Sequence, residues 1–395
     1  MSDADHTPSR RDLLRRSGVL AIVTPRPADT EHIGEGANLD IQVCLTDQGH
    51  IYAFCGKVDL GTGIRTALSQ IIAEELDVSI EDVEMVLGDT DNSPNQGATI
   101  ASETIQVTAI PLRKAAAQAR RHLLLLAADA LDTTTNALST DGARIYHVND
   151  RSRSVAYADV LGNQRIILPL DDTTPVKSIS EYRIVGKPIG RTDIPDKATG
   201  RFVYVHDVRL PDMLHGRVVR PPYAGLDSGA FVGHTLESID ENSIAHIPGI
   251  VAIVTEGDFV GVIAEREEYA TEAALALDVR WKPWIYDRDL GDLESALRAG
   301  DVRPRPLIDE GNVESALKAA ERRLDRTYVW PYQLHASIGP SCAVADVKPD
   351  GISVWAAPQN PYNLRSELAL LTGRPVHQIR ILRYEAAGCY GSNCA

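Results

Sequence analysis

From Leu39 onward, short β-patterned runs alternate with helix-length apolar stripes, and that alternation restricts the chain to a mixed α/β (α+β) architecture. Ile41-Gln42-Val43-Cys44-Leu45, a turn at Asp47-Gln48-Gly49-His50 and Ile51-Tyr52-Ala53-Phe54 predict a hairpin. Gly61-Thr62-Gly63 then opens a helix in which Ile64, Leu68, Ile71, Ile72 and Leu76 recur at helical spacing, giving one apolar face. Ser79 is placed to cap the next turn, and Val83 to Leu87 reads as a strand. The polar loop Gly88 to Gly97 precedes Ala98-Thr99-Ile100-Ala101-Ser102 and a helix running to about Leu131. Asp132 to Asp150 predicts a small hairpin, and Val155 to Leu161 the start of a short connecting helix.

A turn-rich stretch, Gly186 to Gly200, follows an expected boundary near residue 180. Strand patterns at Phe202 to Val205, Leu214 to Val219, Val251 to Thr255, Phe259 to Ala264 and Leu277 to Trp281, with a helix Glu267 to Ala276, predict a compact α/β unit. A helix from Asp309 to about Glu321 comes next, then strands near Thr327 to Trp330, Ala343 to Val347 and Ile352 to Ala356. The helix Leu364 to Leu371 and the strand Ile379 to Tyr384 lead into Gly388-Cys389-Tyr390-Gly391. A chain of 395 residues exceeds what one core usually fills. The expected division is a flexible N-terminus over 1–38 and domains over 39–180, 190–282 and 309–395.

The formal net charge of −15 argues against a nucleic-acid partner, which needs a basic stripe. The longest apolar run, Leu123 to Ala128, is far too short to span a bilayer, so no transmembrane helix is expected. Cys44, Cys55, Cys342, Cys389 and Cys394 lack any C-x-x-C spacing, so neither a zinc site nor an iron–sulfur cluster is expected in this chain; they read as buried thiols. Ser9-Arg10-Arg11-Asp12-Leu13-Leu14 resembles a twin-arginine export motif, but only Val19 to Val23 follows as an apolar segment before Pro25-Arg26-Pro27. A working motif implies a periplasmic protein, a silent one a cytoplasmic protein.

Gly61-x-Gly63 at a helix start can bring backbone N–H groups against a phosphate, or simply form a tight strand-to-helix turn. A Rossmann fingerprint is absent. Glu81, Asp82, Glu84, Asp89 and Asp91 lack the spacing of a calcium loop and read as a solvated acidic loop, so no metal ligands are assigned. His335 reads as a hydrogen-bonded histidine, no nucleophile–base order can be assembled, and the catalytic residue stays unknown. Glu385 precedes the glycine turn and reads as a continuation of its strand rather than as a base.

Taken together, Val58-Asp59-Leu60-Gly61-Thr62-Gly63-Ile64-Arg65-Thr66, Gln70, Ala73-Glu74-Glu75-Leu76, Gly88-Asp89-Thr90 and Gln96-Gly97-Ala98-Thr99 resemble the molybdopterin-binding segment of the xanthine dehydrogenase and aldehyde oxidase family. The order is similar to the isoquinoline 1-oxidoreductase and nicotinate dehydrogenase branch, in which an a/b hammerhead domain follows, here resembled by Gly190 to about Trp281. Leu334 to Ala343, Ala357-Pro358-Gln359-Asn360-Pro361 with Arg365, and Gly388-Cys389-Tyr390-Gly391 look like the opening of the main molybdopterin-binding domain. The resemblance covers about residues 39 to 395 and implies that a further portion of the subunit is absent.

The resemblance implies an oxidoreductase that hydroxylates N-heteroaromatics or aldehydes with water as oxygen source. It implies a molybdopterin cytosine dinucleotide cofactor contacted by Gln359, Gly388, Cys389, Tyr390 and Gly391, with the base outside these residues. Thr62 stands where the family carries glutamine, which directs the expected contacts to the Gly388 turn and away from Gly61. Implied partners are a small two-iron two-sulfur subunit, a cytochrome c electron acceptor, and a chain carrying the C-terminal half. The rival expectations are a non-catalytic remnant or assembly module, and one half of a split enzyme.

Overall fold

The computed structural model describes residues 8–26, 39–222, 233–283, 291–299, 303 and 305–393. They form two compact units, Met1–Val208 with His335–Ala395, and Arg209–Leu334.

The first unit begins with α1 (Arg10–Arg15), β1 (Val19–Pro25), β2 (Leu39–Thr46), β3 (Ile51–Cys55), α2 (Ile64–Leu76) and β4 (Val83–Leu87). It continues through α3 (Ala109–Ala130), β5 (Leu138–Asp141), β6 (Arg144–His147), β7 (Asp150–Ala156), α4 (Tyr157–Leu161), β8 (Arg165–Pro169) and α5 (Ile194–Ala198). A five-stranded sheet runs in the order β4-β3-β2-β1-β8, with β3/β4 and β1/β8 parallel and the other pairs antiparallel. Strand alternation sends Leu20 and Ile22 to one face, where they join Leu68, Ile72, Leu112 and Leu123 of α2 and α3. Val19, Ala21 and Val23 point to the other face and pack with Leu13 and Leu14 of α1. Burial on both faces explains why β1 reads as an unbroken apolar run.

The N-terminal expectation is therefore corrected. Residues 1–38 are not simply a flexible arm: within them, α1 is capped by the Ser9 side chain, which accepts from Asp12 N at 3.1 Å, and β1 is an inner strand of the sheet. The short apolar stretch weighed as a signal segment is a core strand. Two further strands, β7 and β8, lacked a clean two-residue alternation because they are only partly covered.

The second unit contains β9 (His215–Val219), β10 (Leu236–Asp240), β11 (Ile250–Glu256), β12 (Phe259–Ala264), α6 (Glu267–Ala276), β13 (Asp278–Trp281), α7 (Leu293–Arg298) and α8 (Val313–Ala319). An antiparallel sheet β11-β12-β9 and a β10-β13 pair enclose Ile244, Ile247, Val260, Val262, Ala273 and Leu277. The first unit then resumes with β14 (Ala343–Lys348), β15 (Gly351–Ala356), α9 (Pro361–Thr372) and β16 (Ile379–Arg383), in which β15-α9-β16 is a parallel crossover.

Glu74 Oε2 accepts the N–H groups of Arg183, Ile184 and Val185 at 2.9, 2.6 and 2.9 Å and ties that segment to α2. By its internal contacts the second unit runs Arg209–Leu334, beside expected divisions at 190 and 309. Phe202 to Val205 is not a strand; its aromatic rings Phe202 and Tyr204 meet edge to face, with centroids 4.9 Å apart. Thr327 to Trp330 is unpaired coil, with Tyr328 73% and Trp330 74% exposed, because β-type residues form a strand only where a partner backbone is present.

The Gly88-Asp89-Thr90 motif joins the five-stranded sheet to the β14-β15-β16 sheet of the first unit. Thr90 N donates to Ile381 O at 3.1 Å, Ile381 N donates to Thr90 Oγ1 at 2.9 Å, and Arg380 grips Asp89 through Nε at 3.1 Å and Nη2 at 2.7 Å. The loop Gln96–Thr99 is pinned in turn to the exit of β3: Gln96 Oε1 accepts Gly56 N at 2.8 Å, Lys57 Nζ donates to Ala98 O at 2.7 Å, and Val58 N donates to Thr99 Oγ1 at 2.9 Å. These contacts place the Leu60–Gly61 turn opposite the end of β16.

Candidate functional site

A cavity of about 380 Å³ opens in the first unit between the Leu60–Gly61 turn, the Tyr204–His206 segment and the chain leaving β16. Arg383, Glu385, Gly388, Cys389 and Tyr390 line it on the β16 side. Gly388 (φ +113°) and Gly391 (φ +100°) turn the chain there in a conformation that side-chain-bearing residues rarely adopt. Tyr390 also has positive φ and is 65% exposed.

Of the expected cofactor contacts, Gly388, Cys389 and Tyr390 face this cavity. Gly391 sits beside His335, whose Nε2 would lie 3.2 Å from an added Cβ. Gln359 is placed behind the turn. It is 3% exposed, its Oε1 accepts from Cys389 Sγ at 2.9 Å and Asn393 N at 3.1 Å, and its Nε2 donates to Thr99 O at 3.0 Å. Its amide is fully engaged in fixing the glycine turn, so its role in this structure is positioning.

The Gly61 turn is also settled by geometry. Asp59, 3% exposed, accepts N–H groups from Gly61 at 2.9 Å, Gly63 at 3.2 Å and Arg65 at 3.0 Å. An internal carboxylate therefore occupies the electropositive start of α2 that a phosphate would use. The turn contributes a wall of the cavity, not an anion cradle.

Sequence reasoning missed Arg383, Tyr204 and His206, and it assigned Glu385 to the strand. β16 ends at Arg383, and Glu385 enters the cavity wall, with its backbone oxygen accepting from Val205 N at 2.9 Å. Burial pushes the Arg383 guanidinium down to about 10, against the nearby Glu385 and Asp59 charges, and its Nε has no hydrogen-bond partner. Tyr204 and His206 stack at 5.4 Å with 8° between ring planes, giving the cavity a planar aromatic wall. No motif marks these residues, because the fold alone gathers them. Ala101 and Ser102 were also passed over: both have positive φ, 52° and 57°, and they precede a π-helical turn at Thr104–Thr108. Such strain costs about 1–3 kcal/mol per residue and concentrates at functional loops.

A chain of charges braces the cavity. Lys197 Nζ lies 2.6 Å from both Glu385 Oε2 and Asp193 Oδ2, and Arg191 binds Asp193 through Nε at 2.9 Å while its Nη1 donates to Gly61 O at 2.7 Å. The Arg191 hydrogen bonds, with Lys197, hold the Asp193 carboxyl well below its ordinary 3.8. That stabilisation is present above the ordinary value and is lost as pH falls through the lower folded value. Asp193→Asn is expected to destabilise the first unit by about 3 kcal/mol at neutral pH. Urea unfolding should show the gap to wild type closing only below about pH 4; a gap that stays constant into acid would contradict the assignment.

Other groups singled out by sequence take structural roles. Cys44 and Cys55 are buried, and burial pushes both thiols up to about 12; Cys342 is exposed, and Cys394 lies outside the described residues. A depression of about 470 Å³ in the second unit is lined by His234, Asp258 and Lys282. Its polar groups bind its own backbone, Asp258 accepting from Leu236 N at 2.9 Å and Lys282 Nζ donating to His234 O at 2.6 Å. Among the described residues, no helix is long and apolar enough to cross a membrane.

Two family models, each described as a molybdopterin cofactor-binding domain, match residues 9–198 and 300–395. The chain belongs to the molybdopterin-binding subunits of the xanthine dehydrogenase family, whose members are oxidoreductases that use a molybdenum cofactor. It is 49% identical over 403 residues to a nicotinate dehydrogenase subunit of Pseudomonas putida, an alignment covering 100% of this chain and 34% of that protein. It is 30% identical over 283 residues to the isoquinoline 1-oxidoreductase beta subunit of Brevundimonas diminuta, covering 62% of this chain and 35% of that one. A protein of Gluconacetobacter polyoxogenes named as a membrane-bound, pyrroloquinoline-quinone aldehyde dehydrogenase is 26% identical, covering 92% and 48%. The chain thus spans half or less of the length of these relatives.

Proposed function

We propose that this chain is the cofactor-holding part of a molybdenum hydroxylase acting on an N-heteroaromatic acid of the nicotinate type, with water as oxygen source and molybdopterin cytosine dinucleotide as cofactor. The observation that carries the reading is a cavity walled by the Gly61 and Gly388 turns and lined by Arg383, whose Nε is buried without a hydrogen-bond partner. The 49% identity to a nicotinate dehydrogenase subunit along this whole chain supports it. When bound, the molybdenum cofactor supplies the redox chemistry that places a water-derived oxygen on the ring.

The protein's own residues bind and orient. Arg383 lines the cavity and offers a positive charge to an anionic group, and the backbone at Gly388 gives close approach. Gln359 fixes the turn from behind, and Lys197 fixes the Glu385 carboxyl group in the wall. The second unit corresponds in this reading to the a/b hammerhead domain. Electrons leave through a separate two-iron two-sulfur subunit toward a cytochrome c acceptor, and a C-terminal portion, on this or another chain, completes the enzyme. That division agrees with relatives that are themselves named as subunits.

Substituting this chain for the aligned 403 residues of the Pseudomonas putida relative tests the reading. The chimera is expected to hold molybdenum and to oxidise nicotinate in a dye-linked assay, with isoquinoline and benzaldehyde turned over more slowly. A loaded chimera inactive on nicotinate would sink the substrate assignment. A folded chimera without molybdenum would favour a non-catalytic assembly module.

We also propose a cytoplasmic site of action, because Arg10 is 2% exposed and its motif is built into the sheet-bearing unit. Residues 1–40 fused to an export-dependent reporter should leave it in the cytoplasm; twin-arginine-dependent export of the fusion would overturn this.

A further inference from the structure

Glu385 is the one carboxylate among the residues that line the cavity, and its side chain is 12% exposed. Lys197 Nζ donates to its Oε2 at 2.6 Å, and among the described residues no other hydrogen bond reaches the carboxylate. Lys197 is itself held in place, by Asp193 Oδ2 at 2.6 Å and by the Phe202 ring, whose centroid lies 4.6 Å from Nζ. The neighbouring carboxylates are filled from within the chain: Asp59 accepts the N–H groups of Gly61, Gly63 and Arg65, and Asp193 accepts from Arg191 and Lys197. A carboxylate has about four acceptor positions on its two oxygens, so Glu385 Oε1 keeps its capacity.

The same residue is tied to a flat wall. Val205 N donates to Glu385 O at 2.9 Å, and Val205 stands in sequence between Tyr204 and His206, whose stacked rings also line the cavity. A ligand that enters displaces the water reaching Glu385. Stripping a charged, largely buried acceptor of its water without supplying a donor costs more than an ordinary hydrogen bond contributes, so the occupant has to bring its own N–H or O–H. A planar aromatic wall favours a flat ring, which places that donor on the ring's edge. Exocyclic amino groups of heterocycles suit such an acceptor, as when Glu or Asp accepts from the cytosine amino group.

We propose that Glu385 is a binding residue for the pterin ring, its Oε1 accepting from the exocyclic amino group of the amino-pyrimidinone edge while Lys197 holds the carboxylate in position. The inference rests on the assignment of this cavity to the cofactor and adds the orientation of the ring. A heterocycle with a carbonyl in place of the amino group meets the carboxylate with a second acceptor and is rejected.

The test uses the full 395-residue chain purified from cells that cannot make the molybdenum cofactor, titrated with free pterin and with lumazine, its analogue carrying a carbonyl where pterin has the amino group. Ligand fluorescence reads the binding. The wild-type chain is expected to bind pterin about tenfold or more tightly than lumazine. Glu385→Leu should bring the two affinities to within about twofold, and Glu385→Gln, which keeps one carbonyl acceptor, should leave a reduced preference. The ratio compares two ligands on the same folded molecules, so lost stability alone does not move it. If Glu385→Leu does not fold, an undiminished ratio in Glu385→Gln overturns the inference. Equal affinities in the wild-type chain, or a preference that survives Glu385→Leu, would overturn it while leaving the cavity's assignment standing. A folded wild-type chain that binds neither ring would overturn that assignment and the inference with it.

Discussion

Deleting residues 1–25 is expected to abolish cooperative unfolding of the first unit. The deletion removes α1 and β1, and with them the buried side chains of Leu13, Leu14, Val19, Leu20, Ile22 and Val23. Each is worth about 1.5–3 kcal/mol of burial, so their sum rivals the whole stability of a typical domain, about 5–15 kcal/mol. The loss also separates β2 from β8, which β1 alone connects. Circular dichroism and urea titration of the deleted chain should show a broad, non-cooperative transition. A sharp transition near the wild-type midpoint would mean that the segment is an appendage, as its sequence first suggests.

That segment shows where sequence reasoning loses its grip. The hairpin of β2 and β3 and the helix α2 were legible because each declares itself locally, through alternation, turn residues and a helical stripe. β1 was not, because a strand buried on both faces has no alternation, and paired arginines before an apolar run match an export motif equally well. Turn-rich stretches mislead for a related reason. A turn-rich stretch such as 186–200 looks like a linker until the Thr192 N–H to Thr66 Oγ1 bond, 3.0 Å, and the Arg191 contact with Gly61 show it held against the first unit.

The candidate site divides in the same way. Glycines and their turn were visible at Gly388 and Gly391, where the backbone conformation needs that residue type. Gln359 stood out as well, yet its side chain faces the turn rather than the cavity. Arg383 and the Tyr204–His206 stack carry no local signature, since their meaning comes only from the β15-α9-β16 crossover ending beside the Gly61 turn. Asp59 explains why that turn is no phosphate loop: the acceptor for its N–H groups lies two residues upstream of Gly61 in the same chain.

The second large effect concerns cofactor retention. Arg383→Met removes the charge and the unpartnered N–H from the cavity wall while keeping much of the side chain's bulk, and Gly391→Val forces a β-branched residue into a positive-φ position against His335. Loss of a charge-assisted hydrogen bond to an anionic ligand, about 2–3 kcal/mol, corresponds to a loss of roughly 30- to 150-fold in affinity. Arg383→Met should also lower Tm, since the guanidinium offsets the Glu385 and Asp59 charges, so pterin is compared per folded protein. The decisive measurement is therefore the pterin content, by fluorescence after acid oxidation, of the chain and of Arg383→Met purified from cells that make the molybdenum cofactor. Bound pterin is expected in the wild-type chain, with a loss of tenfold or more per folded molecule of the variant; equal pterin in both, or a folded wild-type chain with none, would refute the assignment of this cavity to the cofactor.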